Sequence, residues 1–270
     1  MARKEEVSVP VDGRAIECHL AFPADARTGE RRPAVIVIHE IFGPEAHIRH
    51  VAQRFAELGY VAAAPDLFTG ELHKLLTPAN VALAMKAFAE APPDLRRDPA
   101  KLDAFAATQP PERRPILEAF GRIGRPAVQE GFARDLLGVA RYLRTRAEVD
   151  PHRIASVGFC FGGAMSARLA TVDPDLRAAV IFYGQNPPFA SVPQIGARVL
   201  GLYGELDPGI SQTIPSFNDA MAAAGKSFDY HVYPGAKHAF FNDTRPNFHP
   251  ESASDAWNRV TRFLAESLAD

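Results

Sequence analysis

The sequence predicts one α/β domain spanning 1–270, built on a doubly wound, mostly parallel sheet. Two patterns carry that prediction. Short apolar runs of strand length, such as AVIVIH (34–39), YVAAAPDLF (60–68) and AAVIFYG (178–184), alternate with segments of helical period. Continuous apolar strands of this kind belong to a sheet covered on both faces. The second pattern is GFCFGG (158–163), a glycine-flanked cysteine where one such strand passes into a helix. Length agrees, since 270 residues of which 47% are hydrophobic can bury a full core without staples.

The elements follow in order. VSVP (7–10) and AIECHLAFP (15–23) read as two strands, joined by the hairpin signal Val11-Asp12-Gly13-Arg14. Strand 34–39 leads into the loop HEIFGPE and then HIRHVAQRFAELG. In that segment Ile48, Val51, Ala52, Phe55 and Leu58 recur at helical spacing, and Gly59 stands where a helix ends. Strand 60–68 follows. The rhythm then breaks over 70–126, a helix-like PANVALAMKAFAEA followed by a charged stretch with seven of the 23 prolines between Pro92 and Pro126. This reads as an inserted helical excursion or lid with too few apolar residues for its own core. Helix 127–147, strand 153–159, helix 162–172 and strand 178–184 restore the rhythm. Strand 198–204, helix 212–224, strand 228–234 and a helix from about 251 to 267 complete it.

Charge and cysteine usage exclude several classes. Thirty Lys+Arg against 32 Asp+Glu give a formal net charge of −2. That balance argues against a nucleic-acid binder and against an acidic disordered chain. Two cysteines, Cys18 and Cys160, make neither a disulfide framework nor a zinc site. No run approaches the ~18 apolar residues of a membrane helix, and no apolar signal-peptide core follows MARKEEVSVP. A cytoplasmic protein with reduced cysteines, no membrane partner and no nucleic-acid partner is expected.

The chemistry concentrates at Gly158-Phe159-Cys160-Phe161-Gly162. This is the G-x-S-x-G nucleophile elbow with cysteine in the serine position. The nucleophile sits on a sharp strand-to-helix turn, where side chains at the glycines would collide with neighbouring backbone. The helix beyond Cys160 supplies positive potential and free N–H groups for a developing oxyanion. A buried core cysteine beside packing glycines is the plainer alternative, and strand before, helix after and Gly163 weigh against it.

A triad needs an acid and then a histidine further along the chain. Asp207 lies past strand 198–204 in GELDPG, and His238 past strand 228–234 in PGAKHAF. Both fall on loops at the C-terminal ends of strands. Asp207 would orient the imidazole; His238 would accept the thiol proton and return it to the leaving alcohol. Taken singly, Asp207 is also a turn former before Pro208 and His238 a surface histidine; their joint order is what points to catalysis. His231 reads as structural, and His19, His152 and His249 as surface or turn residues. His39, His47, His50 and His73 form no recognisable ligand set, so no metal and no cofactor are expected. Glu40, in HEIFG, would point a carboxylate into the site, though on pattern alone a solvated loop charge reads more readily.

HEIFG (39–43), APDLF (64–68), GFCFGG (158–163), the loop GELD and HAFFNDTRP (238–246) together resemble the dienelactone hydrolase family of α/β-hydrolases over nearly the whole chain. The resemblance implies an α/β-hydrolase fold and hydrolysis of a small ester or lactone by the triad Cys160, Asp207 and His238. It also implies a functional Glu40, which contacts the resting thiol and takes its proton. The oxyanion hole maps to the backbone N–H groups of Ile41 and Phe161. Phe42, Phe161 and Phe240 flank the catalytic loops and are expected to line the pocket, with packing in the core the equal alternative for each. The chain departs from the name-giving enzymes at both arginines that hold the substrate carboxylate. PDLFTGELHK contains none, and the position four after the histidine is Asn242. Arg245 is displaced by three; Arg113, Arg114, Arg122 and Arg125 of the excursion are the other candidates. The machinery therefore transfers and the substrate does not. The rival is a catalytically quiet member that binds a ligand or serves as a scaffold, for which the lost arginines speak and the triad order does not. Oligomeric state is not legible.

Overall fold

A computed structural model describes residues 3–25, 29–91 and 99–269. Strands β1 (Lys4–Val11) and β2 (Arg14–Ala21) form the expected hairpin. Its two turn residues, Asp12 and Gly13, both have positive φ, at 47° and 76°, the geometry whose twist matches a right-handed strand pair. Next come β3 (Arg32–Ile38), α1 (Ala46–Glu57) and β4 (Val61–Pro65). The excursion holds α2 (Glu71–Leu75), α3 (Pro78–Glu90), α4 (Pro99–Ala107) and α5 (Arg114–Ile123). Helix α6 (Pro126–Thr145), β5 (Val149–Phe159), α7 (Phe161–Val172) and β6 (Ala178–Phe182) follow. Last are β7 (Arg198–Gly204), α8 (Pro208–Ser211), α9 (Ile214–Ala223), β8 (Phe228–Tyr233) and α10 (Pro250–Ser267).

The eight strands form one sheet in the order β1-β2-β4-β3-β5-β6-β7-β8. The pairings β1–β2 and β2–β4 are antiparallel, and every pairing from β4 through β3 to β8 is parallel. The expected mostly parallel, doubly wound α/β sheet is therefore present.

Alternate strand residues feed opposite cores, which is why the sequence runs are continuously apolar. Val35, Val37, Val157 and Val180 face α1 and α10, meeting Ile48, Val51, Phe55, Val260 and Phe263. Ile36, Ile38, Ile154 and Ile181 face the other side, meeting Leu136, Val139, Met165, Leu169 and Phe217. Burying side chains of this size contributes about 1.5–3 kcal/mol each relative to exposure. Leu58 departs from the expected apolar stripe: it caps α1 and is 50% exposed. The helix stops there because Gly59 turns the chain at φ +94°.

The excursion is tied to this frame. Leu76, Val81, Ala119 and Ile123 lie in the same core as α6 and α7, while Ala84, Ala106 and Leu117 form a small cluster of their own. Part of its proline-rich stretch, residues 92–98, lies outside the described residues.

Parallel strands place all their C-terminal ends along one edge. Ile38 of β3 pairs with Gly158 of β5, so Glu40 and Cys160 leave the sheet side by side. Phe182, Gly204 and Tyr233 end β6, β7 and β8 at the same edge, which brings Tyr183, Asp207 and His238 to it.

Candidate active site

Cys160 stands between β5 and α7 at φ 55°, ψ −114°. Such a conformation costs a non-glycine residue of order 1–3 kcal/mol, so its surroundings must enforce it. Its N–H donates to Phe182 O at 3.0 Å, and its own carbonyl accepts from Ala164 N at 3.2 Å. Backbone packing does the rest. A Cβ on Gly158 would lie 1.9 Å from Gly162 O, and one on Gly162 would lie 2.3 Å from Ile38 O. A Cβ on Gly163 would lie 2.6 Å from Phe182 O. The first turn of α7 thus rests directly on the ends of β3 and β6. Only glycine permits that approach, and it pushes the Cys160 side chain out of the turn.

The two cysteines differ in setting. Cys18 is buried, and burial pushes its thiol well above the ordinary range. Cys160 is half-buried, at the start of α7, whose first N–H groups have no intrahelical acceptor. Phe161 N is one of them. Ile41 follows Glu40 in the loop after β3, where Gly43 N closes a turn onto Glu40 O at 3.2 Å.

His238 Nδ1 lies 2.6 Å from Asp207 Oδ2. Asp207 is held by its position at the N-terminus of α8, where its carbonyl accepts from Ile210 N and Ser211 N. Burial alone would make His238 harder to protonate. The hydrogen bonds to Asp207 and Cys160, with the charges of both, outweigh it and raise the imidazole to about 10. The geometry therefore favours an imidazolium between a carboxylate and the Cys160 sulfur.

Glu40 is not a solvated charge: it is 4% exposed. Its Oε1 accepts from the Tyr183 hydroxyl at 3.2 Å, and its Oε2 from Asn242 Nδ2 at 2.5 Å. Burial raises its proton affinity; Asn242, Arg245, Tyr183 and His238 pull the other way. The resemblance implied a contact with the resting thiol. Its side chain is held by the donors Tyr183 and Asn242, for a physical reason. A buried carboxyl needs strong donors, and a thiol is a weak one.

The aromatic expectations divide. Phe161 packs its ring against His39, Phe68 and Phe132, with centroids 5.9, 5.5 and 5.4 Å apart. Phe42 lies beneath Arg245, whose guanidinium carbon is 3.9 Å from the ring centre. Phe240 corrects the expectation. It is 0% exposed, packed among Phe182, Tyr183 and Tyr233, and offers no surface to a ligand. Its position beside His238 in sequence sends its side chain into the core, because the loop turns at Ala239 with φ 64°.

Three of the candidate arginines are engaged with carboxylates. Arg245 pairs with Glu45. Arg125 pairs with Asp103, Arg122 stands 3.9 Å from Glu118, and Arg113 and Arg114 are exposed. His19, expected at the surface, is buried, with Nδ1 2.7 Å from Glu6 Oε1. Sequence reasoning missed Tyr183, which donates to Glu40. The signal for Tyr183 was weak, an aromatic at the end of a strand already rich in apolar residues.

The family model of the dienelactone hydrolase family matches residues 16–268. A candidate carboxymethylenebutenolidase of Saccharolobus solfataricus is 33% identical over 262 residues, covering 97% of this chain and 98% of that protein. Another from Salmonella typhimurium is 32% identical over 271 residues, covering 96% and 86%. The crystal structure of a candidate dienelactone hydrolase from Klebsiella pneumoniae superposes with a TM-score of 0.72 at 29% identity, covering 98% of this chain and 99% of that one.

Proposed function

The chain belongs to the dienelactone hydrolase family and is a hydrolase of carboxylic esters or lactones; from that premise we propose that it works through Cys160, His238 and Asp207 on a small-molecule substrate. The observation that carries this is the 2.6 Å contact of His238 with Asp207 beside a half-buried Cys160 in the strained elbow.

Cys160 Sγ attacks the carbonyl carbon, and the carbonyl π electrons move to oxygen. The resulting oxyanion is received by the backbone N–H groups of Phe161 and Ile41, which stabilise charge that develops only in the transition state. Collapse re-forms the carbonyl and breaks the C–O bond. His238 donates its Nε2 proton to the departing alkoxide, which in a lactone is the opened end of the same molecule. The acyl group now sits on sulfur as a thioester. His238, neutral at this point, takes a proton from water as that water attacks the thioester. Collapse releases the acid and returns the thiolate–imidazolium pair. Asp207 stays ionised throughout and holds Nδ1–H, so that Nε2 always faces the sulfur.

The test is hydrolysis of p-nitrophenyl acetate and of a dienelactone by wild type and by Cys160→Ala, with intact-mass detection of the acyl-enzyme. Turnover and an acetyl adduct in wild type only are expected. Unchanged hydrolysis by Cys160→Ala overturns the mechanism. A dienelactone preference would place the substrate near that of the name-giving enzymes; turnover of only the neutral ester would place it elsewhere among esters and lactones.

A further inference from the structure

Helices α1 and α10 and the loop 241–249 enclose a cleft of about 260 Å³ that none of Cys160, Asp207 and His238 lines. Phe241, Phe248 and Trp257 give it aromatic walls. Trp257 is half-buried and its ring lies 6.3 Å from that of Phe241, nearly stacked at 29°. Phe248 is 37% exposed beside them. Phe241 also stacks on Phe159 at 5.3 Å, so this wall is anchored in the core. The walls and the small volume suit a single aromatic ring.

The charged groups of the cleft are few. Arg54, on α1, sits over the Trp257 ring, its guanidinium carbon 3.7 Å from the ring centre and 5.9 Å from that of Phe241. Its guanidinium N–H groups find no acceptor among the described residues, yet none is enclosed, so they open to the cleft. Burial lowers its pKa, and only the charges of Asp243 and Glu57 support the cation. Asp243 is taken by His47, whose Nδ1 lies 3.1 Å from its Oδ1. His47 is 6% exposed and burial makes it harder to protonate. Its Nε2 is enclosed and without a partner among the described residues, so His47 serves as wall rather than as ligand contact. His50 is exposed at the lip.

We propose that this cleft is a binding site for a small aromatic carboxylate, with the ring among Trp257, Phe241 and Phe248 and the carboxylate on the N–H groups of Arg54. One guanidinium matches one carboxylate through a pair of parallel N–H···O bonds. Stacking on the indole holds the guanidinium in place before the ligand arrives, so little side-chain entropy is lost on binding. The surrounding rings keep water away and strengthen the ion pair. Asp243 limits the charge the cleft accepts. A dianion such as phosphate meets one cation and one carboxylate, whereas a monoanion is matched by Arg54 alone. The site is independent of the reaction at Cys160.

Trp257 is the one tryptophan of the chain, so its fluorescence reports on this cleft. Benzoate, benzamide and inorganic phosphate are titrated separately into the full chain. Benzoate is expected to change the emission saturably, with half-saturation on the order of 1 mM. Benzamide has the same shape without the charge and should need about tenfold more. Arg54→Met keeps the stem and removes the donors, and is expected to raise half-saturation by benzoate about tenfold or more. His50→Glu sets an exposed negative charge at the lip and is expected to raise it about two- to threefold. A linear response without saturation, equal responses to benzamide and benzoate, or saturation by phosphate below the benzoate range overturns the proposal. So does unchanged half-saturation in Arg54→Met. Should that variant fail to fold by circular dichroism, unchanged half-saturation in His50→Glu overturns it alone. The readout needs no turnover, so a chain that hydrolyses no ester but binds benzoate here would sink the hydrolytic reading and leave this one standing.

Discussion

His238 Nδ1 meets Asp207 Oδ2 at 2.6 Å across two loops 31 residues apart in the chain. The pair fixes which imidazole nitrogen faces Cys160. Asp207→Asn preserves the shape but offers the wrong tautomer an equal partner. We expect kcat to fall by about 10²–10⁴-fold. The melting temperature, followed by circular dichroism, should change little beside that loss.

The pH dependence of stability has a defined sign at this pair. His238 is raised from its ordinary value to about 10, against burial, by Asp207 and Cys160. A histidine raised on folding stabilises fully below the unfolded value near 6.5, and that stabilisation is lost as pH rises through about 10. The melting temperature of wild type should therefore decline between those limits. His238→Asn should flatten the decline, and an equally steep decline in that variant would refute the assignment.

The elbow predicts a contrast between two glycines. Gly158→Ala would drive a Cβ to 1.9 Å from Gly162 O, backbone that cannot give way. We expect a loss of about 3 kcal/mol or more in urea unfolding. Gly131, inside α6, has nothing within 4 Å of its added Cβ. Gly131→Ala should stabilise by about 1 kcal/mol, the ordinary helix preference.

Tyr203 lies on β7, 1% exposed, and its hydroxyl has no hydrogen-bond partner among the described residues. Removing an unsatisfied buried hydroxyl relieves a desolvation cost. Tyr203→Phe should be neutral or raise stability by about 1 kcal/mol, read from the shift in urea midpoint at constant slope.

Glu40 joins function to stability. Its carboxyl is buried against neutral donors, and burial raises its proton affinity. Glu40→Gln replaces it with an amide whose oxygen still accepts from Asn242 and whose NH2 can donate to the Tyr183 hydroxyl. At neutral pH that variant should be more stable by about 1 kcal/mol and less active, a trade common where an active site retains a buried charge.

Local patterns made the frame and the order of the site legible. Strand runs, the Asp12-Gly13 turn and the glycines about Cys160 each obey short-range rules, and the structure places them as those rules require. Phe240 was not legible. Nothing in HAFF distinguishes a ring that lines a cleft from one that enters the core, and the positive φ of Ala239 decided it. Leu58 shows the same limit, since its helical spacing is right but the helix ends beneath it.

By itself the sequence determined the sheet, the elbow and the loops at its C-terminal edge that carry Cys160, Asp207 and His238, because apolar periodicity and glycine sterics act between near neighbours. The partners of Glu40 were decided only by the tertiary structure. Asn242 lies 202 residues away and Tyr183 lies 143 away. A buried carboxyl takes whichever donors the packed loops bring to it, and no local pattern records that choice.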